Sequence, residues 1–186
     1  MLTSFKYSLE GQESERLLFR KITENDFDTW LEFCKYPYSL KYIFSQKQLA
    51  NDDPVARCKI WFERVFNRYE NGLGGMNALI DKNTNEFVGQ CGLLIQTIDN
   101  VEELEIGYSL MPNQRGKGFA TEAAIKCKLF AFESTSYNSL ISTIHIENEA
   151  SSRVAIANGM TLEKTTLSEG DPVNIYRVFK QKKAPL

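Results

Sequence analysis

Apolar and polar positions alternate with a period of two along Leu104-Glu105-Ile106-Gly107-Tyr108-Ser109-Leu110, which predicts a strand. Pro112 has no N–H to give a ladder and ends the pairing. A turn holding Gly116 and Gly118 follows, and the period then changes. Ala120, Ala123, Ala124, Cys127, Phe130 and Ala131 fall on one face of a helix. Strand, glycine turn and helix together aim the free N–H groups of a helix N-terminus at one point. Orphan donors and the helix dipole both favour an anion there. Two residues without side chains let the backbone curl and let a phosphate approach closely. The stretch is a phosphate cradle.

The flanking chain reads as an alternation of strands and helices. Residues 1–14 are polar and mixed, an extended lead-in or frayed end. Residues 16–22 form a first strand, and Thr23 with Asp26 opens a helix running to about Phe33. The aromatic stretch 36–51 resists assignment. Asp53-Pro54 starts a helix whose face is Cys58, Trp61, Phe62, Val65, Phe66 and Tyr69, and Asn71-Gly72 ends it. Residues 76–81 and 86–96 are strands around the polar turn 82–85. Residues 140–146 form the next strand. Asn148 starts a helix with Val154 and Ile156 inward, and Asn158-Gly159 closes it. Residues 162–167 and 174–180 are closing strands around the loop 168–172. Residues 15–180 thus form one α/β (α+β) domain, with a mixed, mostly antiparallel sheet and a tail at 181–186.

Composition narrows the function classes. A chain of 186 residues, 42% hydrophobic, supports one domain with an ample core. A net charge of −2 and a pI near 5.6 argue against nucleic acid as the partner. Cys34, Cys58, Cys91 and Cys127 are scattered and form no Cys-x-x-Cys pair, so no metal site and no disulfide framework is expected. No stretch reads as a signal peptide or a membrane span, and a cytoplasmic location is expected.

Three phosphate cradles compete for 115–121. A P-loop needs Ser or Thr after its Gly-Lys, but Lys117 is followed by Gly118. A dinucleotide fingerprint needs a third glycine or alanine where Thr121 stands, and an acidic residue about 20 positions on, where 137–140 is Tyr-Asn-Ser-Leu. Arg115-Gly116-Lys117-Gly118-Phe119-Ala120 instead resembles the Arg/Gln-x-x-Gly-x-Gly/Ala pyrophosphate loop of the GNAT acetyltransferase superfamily. Independently, residues 16–26 resemble the Arg-Leu-x-Leu-Arg opening of the branch holding the ribosomal-protein N-terminal acetyltransferases. A third stretch, Asn148, Ser151 and Gly159-Met160, matches the family's final motif.

The resemblance implies a GNAT fold with splayed central strands and direct acetyl transfer from acetyl-CoA to a primary amine. Arg115, Gly116, Lys117, Gly118, Phe119, Ala120 and Thr121 would hold the pyrophosphate. The backbone of Tyr108, Ser109 and Leu110 would pair with the pantetheine arm, and the Leu110 N–H would meet the developing oxyanion, worth roughly 3 kcal/mol in comparable sites. Asn148 would bond the pantetheine amide or simply cap its helix. Glu105 is the candidate general base, its pKa raised in a half-buried cleft, or else a solvated strand charge. Many members carry a tyrosine seven residues beyond this asparagine; here it is Ala155, and Ser151 is the candidate acid, or else a helix-start residue with no chemical task. Trp61 reads as core or as cleft lining, His145 as structural or surface, Cys91 and Cys127 as core, and Glu122 with Lys126 as an exposed helix pair. The acceptor, whether protein N-terminus, amino acid, polyamine or aminoglycoside, is not legible, although acidic residues at 99–105 would suit a cation. A homodimer is common in the family. The rival reading is a non-catalytic acyl-CoA-binding or sensing domain with a protein partner, kept alive by the missing tyrosine.

Overall fold

In a computed structural model, the structure describes residues 7–36, 40–43 and 52–181. Seven strands form one sheet: β1 (Leu17–Lys21), β2 (Gly74–Asp81), β3 (Phe87–Ile98), β4 (Val101–Leu110), β5 (Ser139–His145), β6 (Thr161–Ser168) and β7 (Asp171–Phe179). Among the described residues four helices flank it: α1 (Phe27–Cys34), α2 (Pro54–Glu70), α3 (Phe119–Ser134) and α4 (Glu149–Ala157). The strand order is β1-β2-β3-β4-β5-β7-β6, antiparallel throughout except for the parallel β4–β5 pair.

Local chemistry sets most element ends. The Thr23 N–H donates to Asp26 at 2.9 Å and opens a short 3-10 turn that runs into α1. The Asp53 carboxylate accepts from the Val55 N–H at 2.9 Å, with Pro54 at the first helical position of α2. The β2–β3 turn closes on Asn85 at φ 60°. Close strand approach explains Gly92, where an added Cβ would stand 2.0 Å from the Gly75 carbonyl oxygen.

The sheet carries a core on each face. On one, α3 and α4 pack Ala123, Ala124, Cys127, Ala131 and Ala155 over Cys91, Leu93, Leu104 and Ile106. On the other, α1 and α2 cover Met76 and Ala78 with an aromatic cluster. There Trp30 stacks on Phe33 at 4.1 Å and leans on Trp61 at 5.5 Å. Strands β2 and β3, covered on both faces, are therefore apolar along most of their length. All four cysteines are buried free thiols. The sulfurs of Cys91 and Cys127 lie 3.4 Å apart across the α3–β3 contact, within hydrogen-bond reach of one another but too far for a disulfide.

Three expectations are corrected. Ile156 points outward, 59% exposed, and Ala155 takes the inward place. Glu122 does not pair with Lys126: its carboxylate bonds Ser14, the Arg16 N–H and the Arg16 guanidinium, each at 2.7 Å. The β6–β7 connection is a two-residue turn at Glu169-Gly170 rather than a five-residue loop, because β7 starts at Asp171 and takes Pro172 as its second residue, at a strand end where a missing N–H does little harm. The lead-in is tied down from Tyr7 onward: Leu9 is fully buried, and Gly11 and Gln12 exchange backbone bonds with Phe19. The uncertain stretch 36–51 falls largely outside the described residues.

Candidate active site

Strands β4 and β5 pair only at Glu105 and Ile141 and then part. Toward the C-terminal end of β4 the edge facing β5 therefore has no strand to bond. The Met111 N–H donates to Val88 on the β3 side at 3.0 Å. By ladder alternation, the backbone groups of Tyr108 and Leu110 turn the other way, into the gap. Two contacts agree with this: the Leu110 carbonyl accepts from Arg115 Nε at 3.2 Å, and the Ile106 carbonyl accepts from Ser142 Oγ at 2.8 Å. The gap opens into a cleft of about 1310 Å³, lined by α2, β3, β4, β5, α4 and the glycine turn.

At one end of this cleft lies the turn from β4 into α3. Gly116 and Gly118 are left-handed, at φ 75° and 83°, and Gly118 caps α3. An added Cβ at Gly116 meets nothing within 4 Å, so the space over this turn is open. Donors at a helix N-terminus around an open concavity fit a pyrophosphate. Arg115, Gly116, Gly118, Ala120 and Thr121 line the cleft here. Two expected cradle residues turn away. Lys117 bonds the Gln114 side chain at 2.7 Å, and the Phe119 ring is core under the Arg16 guanidinium, 4.4 Å from its centroid. Phe119 can offer only its backbone to the cradle.

Glu105 sits where the two strands part. The residue is 9% exposed, and its carboxylate accepts from the Thr143 N–H at 3.0 Å. Burial pushes its pKa up, opposed by the Thr143 and Gln96 hydrogen bonds and by the Arg68 charge. It is not a solvated strand charge. Arg68 of α2 donates to the Gln96 side-chain oxygen at 3.0 Å, so Gln96 stands between Arg68 and Glu105. Sequence reading missed this link, since nothing in either local pattern relates residue 68 to residue 96.

Asn148 caps α4, its side-chain oxygen accepting from the Ser151 N–H at 3.2 Å, and both line the cleft. The Ser151 carbonyl accepts from the Tyr108 hydroxyl at 2.7 Å, which ties β4 to α4 across the gap. Burial raises the Tyr108 pKa. Trp61 satisfies both of its readings: it is 8% exposed, donates to Gln90 at 3.1 Å and lines the cleft. His145 also lines the cleft, its ring 5.4 Å from that of Tyr42. Among the described residues no cluster of His, Cys, Asp and Glu could hold a metal, and no helix is long and apolar enough to cross a membrane.

A seven-stranded mixed sheet between helices, with one parallel pair splayed beside a glycine turn at a helix N-terminus, defines the acetyltransferase fold. The chain belongs to the acetyltransferase (GNAT) domain family, whose profile matches residues 16–161. It is 28% identical over 174 residues to the uncharacterized N-acetyltransferase p20 of Bacillus licheniformis, covering 90% of this chain and 94% of p20. It is 38% identical over 110 residues to YkkB of Bacillus subtilis (strain 168), a match that spans 59% of this chain and 64% of that relative. Solved structures share the fold. An acetyltransferase from Agrobacterium tumefaciens str. C58 superposes with a TM-score of 0.73 at 24% identity over 90% of this chain and 93% of that one. The ribosomal L7/L12 alpha-N-protein acetyltransferase RimL, in complex with coenzyme A, gives 0.69 at 19% over 89% and 95%. Spermidine N-acetyltransferase from Vibrio cholerae, in complex with CoA and spermine, gives 0.69 at 15% over 88% and 95%.

Proposed function

We propose that this chain is an N-acetyltransferase that moves the acetyl group of acetyl-CoA directly to a primary amine. The observation that carries the reading is the β4–β5 splay, which leaves a strand edge free beside a left-handed glycine turn. Acetyl-CoA supplies an activated acyl group: the amine nitrogen forms a C–N bond, the C–S bond breaks, and one proton leaves nitrogen while one reaches sulfur. The 115–121 turn holds the pyrophosphate through the backbone N–H groups at the start of α3. The Tyr108–Leu110 edge holds the pantetheine arm as an added strand would. The Leu110 N–H, turned into the gap, donates where charge develops on the acyl oxygen.

Glu105 takes the amine proton, directly or through water, and its raised pKa brings a carboxylate nearer to working pH. Ser151, beside the gap, returns a proton to sulfur. The other reading, a non-catalytic acyl-CoA-binding domain with a protein partner, rests on the buried Ala155 standing where many relatives have tyrosine. Thiol release from acetyl-CoA, assayed over an amine panel, separates the two. An amine-dependent rate is expected. Glu105→Gln should lower kcat/KM about 100-fold and flatten the acid side of its pH profile. Thiol release that no amine accelerates, or a Glu105→Gln variant as fast as the parent, would contradict the reading.

A further inference from the structure

The acids at 99–105, which suggest a cationic acceptor in the sequence, are largely engaged elsewhere. Asp99 pairs with Lys164 at 2.7 Å, and Glu103 pairs with Arg177 at 2.6 Å. Glu102 accepts from the Tyr137 hydroxyl at 2.7 Å, and Glu105 is buried. Glu147, further round the cleft, pairs with Lys41. The α2 wall carries the opposite charge. Arg64 and Arg68, one turn apart on α2, both line the cleft and are both half-buried. Among the described residues Arg64 has no hydrogen bond or ion pair, and Arg68 has no carboxylate within salt-bridge distance.

Arg68 spends three of its five N–H donors on the Leu73 carbonyl at 3.2 Å, the Ile95 carbonyl at 3.1 Å and Gln96 at 3.0 Å, which leaves two. Those bonds fix its guanidinium. Burial and the neighbouring Arg64 charge both lower the Arg68 pKa, and nearby Glu105 raises it. Glu63 lines a shallower hollow on α2 with both arginines but not the cleft; Glu169 and Asp171 of the β6–β7 hairpin and Glu149 of α4, paired with Arg153 at 3.5 Å, line the cleft from other elements. Beside the arginines the cleft wall is apolar, formed by Phe33, Trp61, Val65 and Met76.

We propose that Arg64 and Arg68 bind a carboxylate on the acceptor, so that the acceptor class is an α-amino acid or similar amine with an apolar body, rather than a polyamine. Two guanidiniums one turn apart match a carboxylate's two oxygens in charge and in donor number. The amine of such a molecule would lie on the Glu105 side, since Arg68 reaches Glu105 through Gln96. This inference rests on the acetyl-transfer reading for its chemistry, but its binding site stands independently of turnover.

Calorimetric titration of the chain, with and without CoA, compares L-leucine, L-phenylalanine and L-methionine with their carboxamides and with spermidine. The acids are expected to bind at least about tenfold more tightly than the amides. Arg64→Gln should remove that preference and raise KM for an acid substrate about tenfold, with kcat and acetyl-CoA affinity unchanged; Arg64→Lys should restore part of it. Equal binding of acids and amides, preference for spermidine, no binding of any acid to either form, or an Arg64→Gln variant that still discriminates would each overturn the arginine site. Acids that bind with this preference but are never acetylated would support the site and count against the acetyl-transfer reading instead.

Discussion

Glu105 is a carboxylate built into the point where two strands part, and its surroundings make it sensitive to pH. Burial raises its pKa above the ordinary carboxylate range. The native state therefore holds this proton more tightly than the unfolded chain does. The resulting stabilisation is fully present below the unfolded pKa and is lost as pH rises through the raised native one. Glu105→Gln cannot ionise and escapes this loss. Denaturant melts at pH 5 and pH 8 should show the variant gaining stability relative to the parent as pH rises. A gap independent of pH would mean that the carboxylate is not desolvated. The same residue shows how far single positions were legible. Period-two alternation places Glu105 on the strand, but its depth depends on Thr143 and Gln96, which meet it only in three dimensions. Lys117 shows the same limit: a basic residue inside a glycine loop suggests a phosphate contact, while its amine donates to Gln114, three residues back, a bond that no local pattern shows.

At the scale of elements, patterns that repeat over several turns or several pairs were readable. Strand β4, helix α2 with its Asp53-Pro54 start, and the glycine entry to α3 lie where alternation and capping put them. Errors gather where the pattern is short. Helix α4 is only nine residues long, so two apolar residues cannot fix its phase, and Ile156 was assigned to the wrong face. The splay itself leaves no mark on the sequence, because it is a relation between β4 and β5 rather than a property of either. Asn148 caps the start of α4, and one substitution separates that cap from the pantetheine contact we propose for it. Asn148→Asp keeps the oxygen that accepts from Ser151 and places a negative charge at a helix N-terminus, but it loses the amide donor. Its melting temperature should match or exceed the parent's while acetyl-CoA affinity falls several-fold. Unchanged affinity would leave Asn148 as a cap alone.

In the whole molecule the two cores divide the labour. The α3–α4 face supports the glycine turn and the free edge of β4, and the α1–α2 face, with its aromatic cluster and two arginines, walls the other side of the same cleft. Charge shows why acceptor chemistry was the least legible feature. The acidic run at 99–105 is countered by Lys164, Arg177 and Tyr137, all distant in sequence, so its local composition misstates the field in the cleft. The account stands or falls on the cradle at 115–121. Calorimetric titration with acetyl-CoA, CoA, ATP and NAD, on the parent and on Gly116→Asp, tests it most directly. That substitution fills open space and sets a carboxylate where the phosphate would lie, at a left-handed φ that strains any side chain but aspartate less than most. Acetyl-CoA and CoA should bind and ATP and NAD should not, a hundredfold excess over Kd should stabilise the parent by about 2.7 kcal/mol, and the variant, folded and melting cooperatively though somewhat earlier, should lose binding at least tenfold. Failure of the parent to bind any CoA species, or undiminished binding by the variant, would contradict the account.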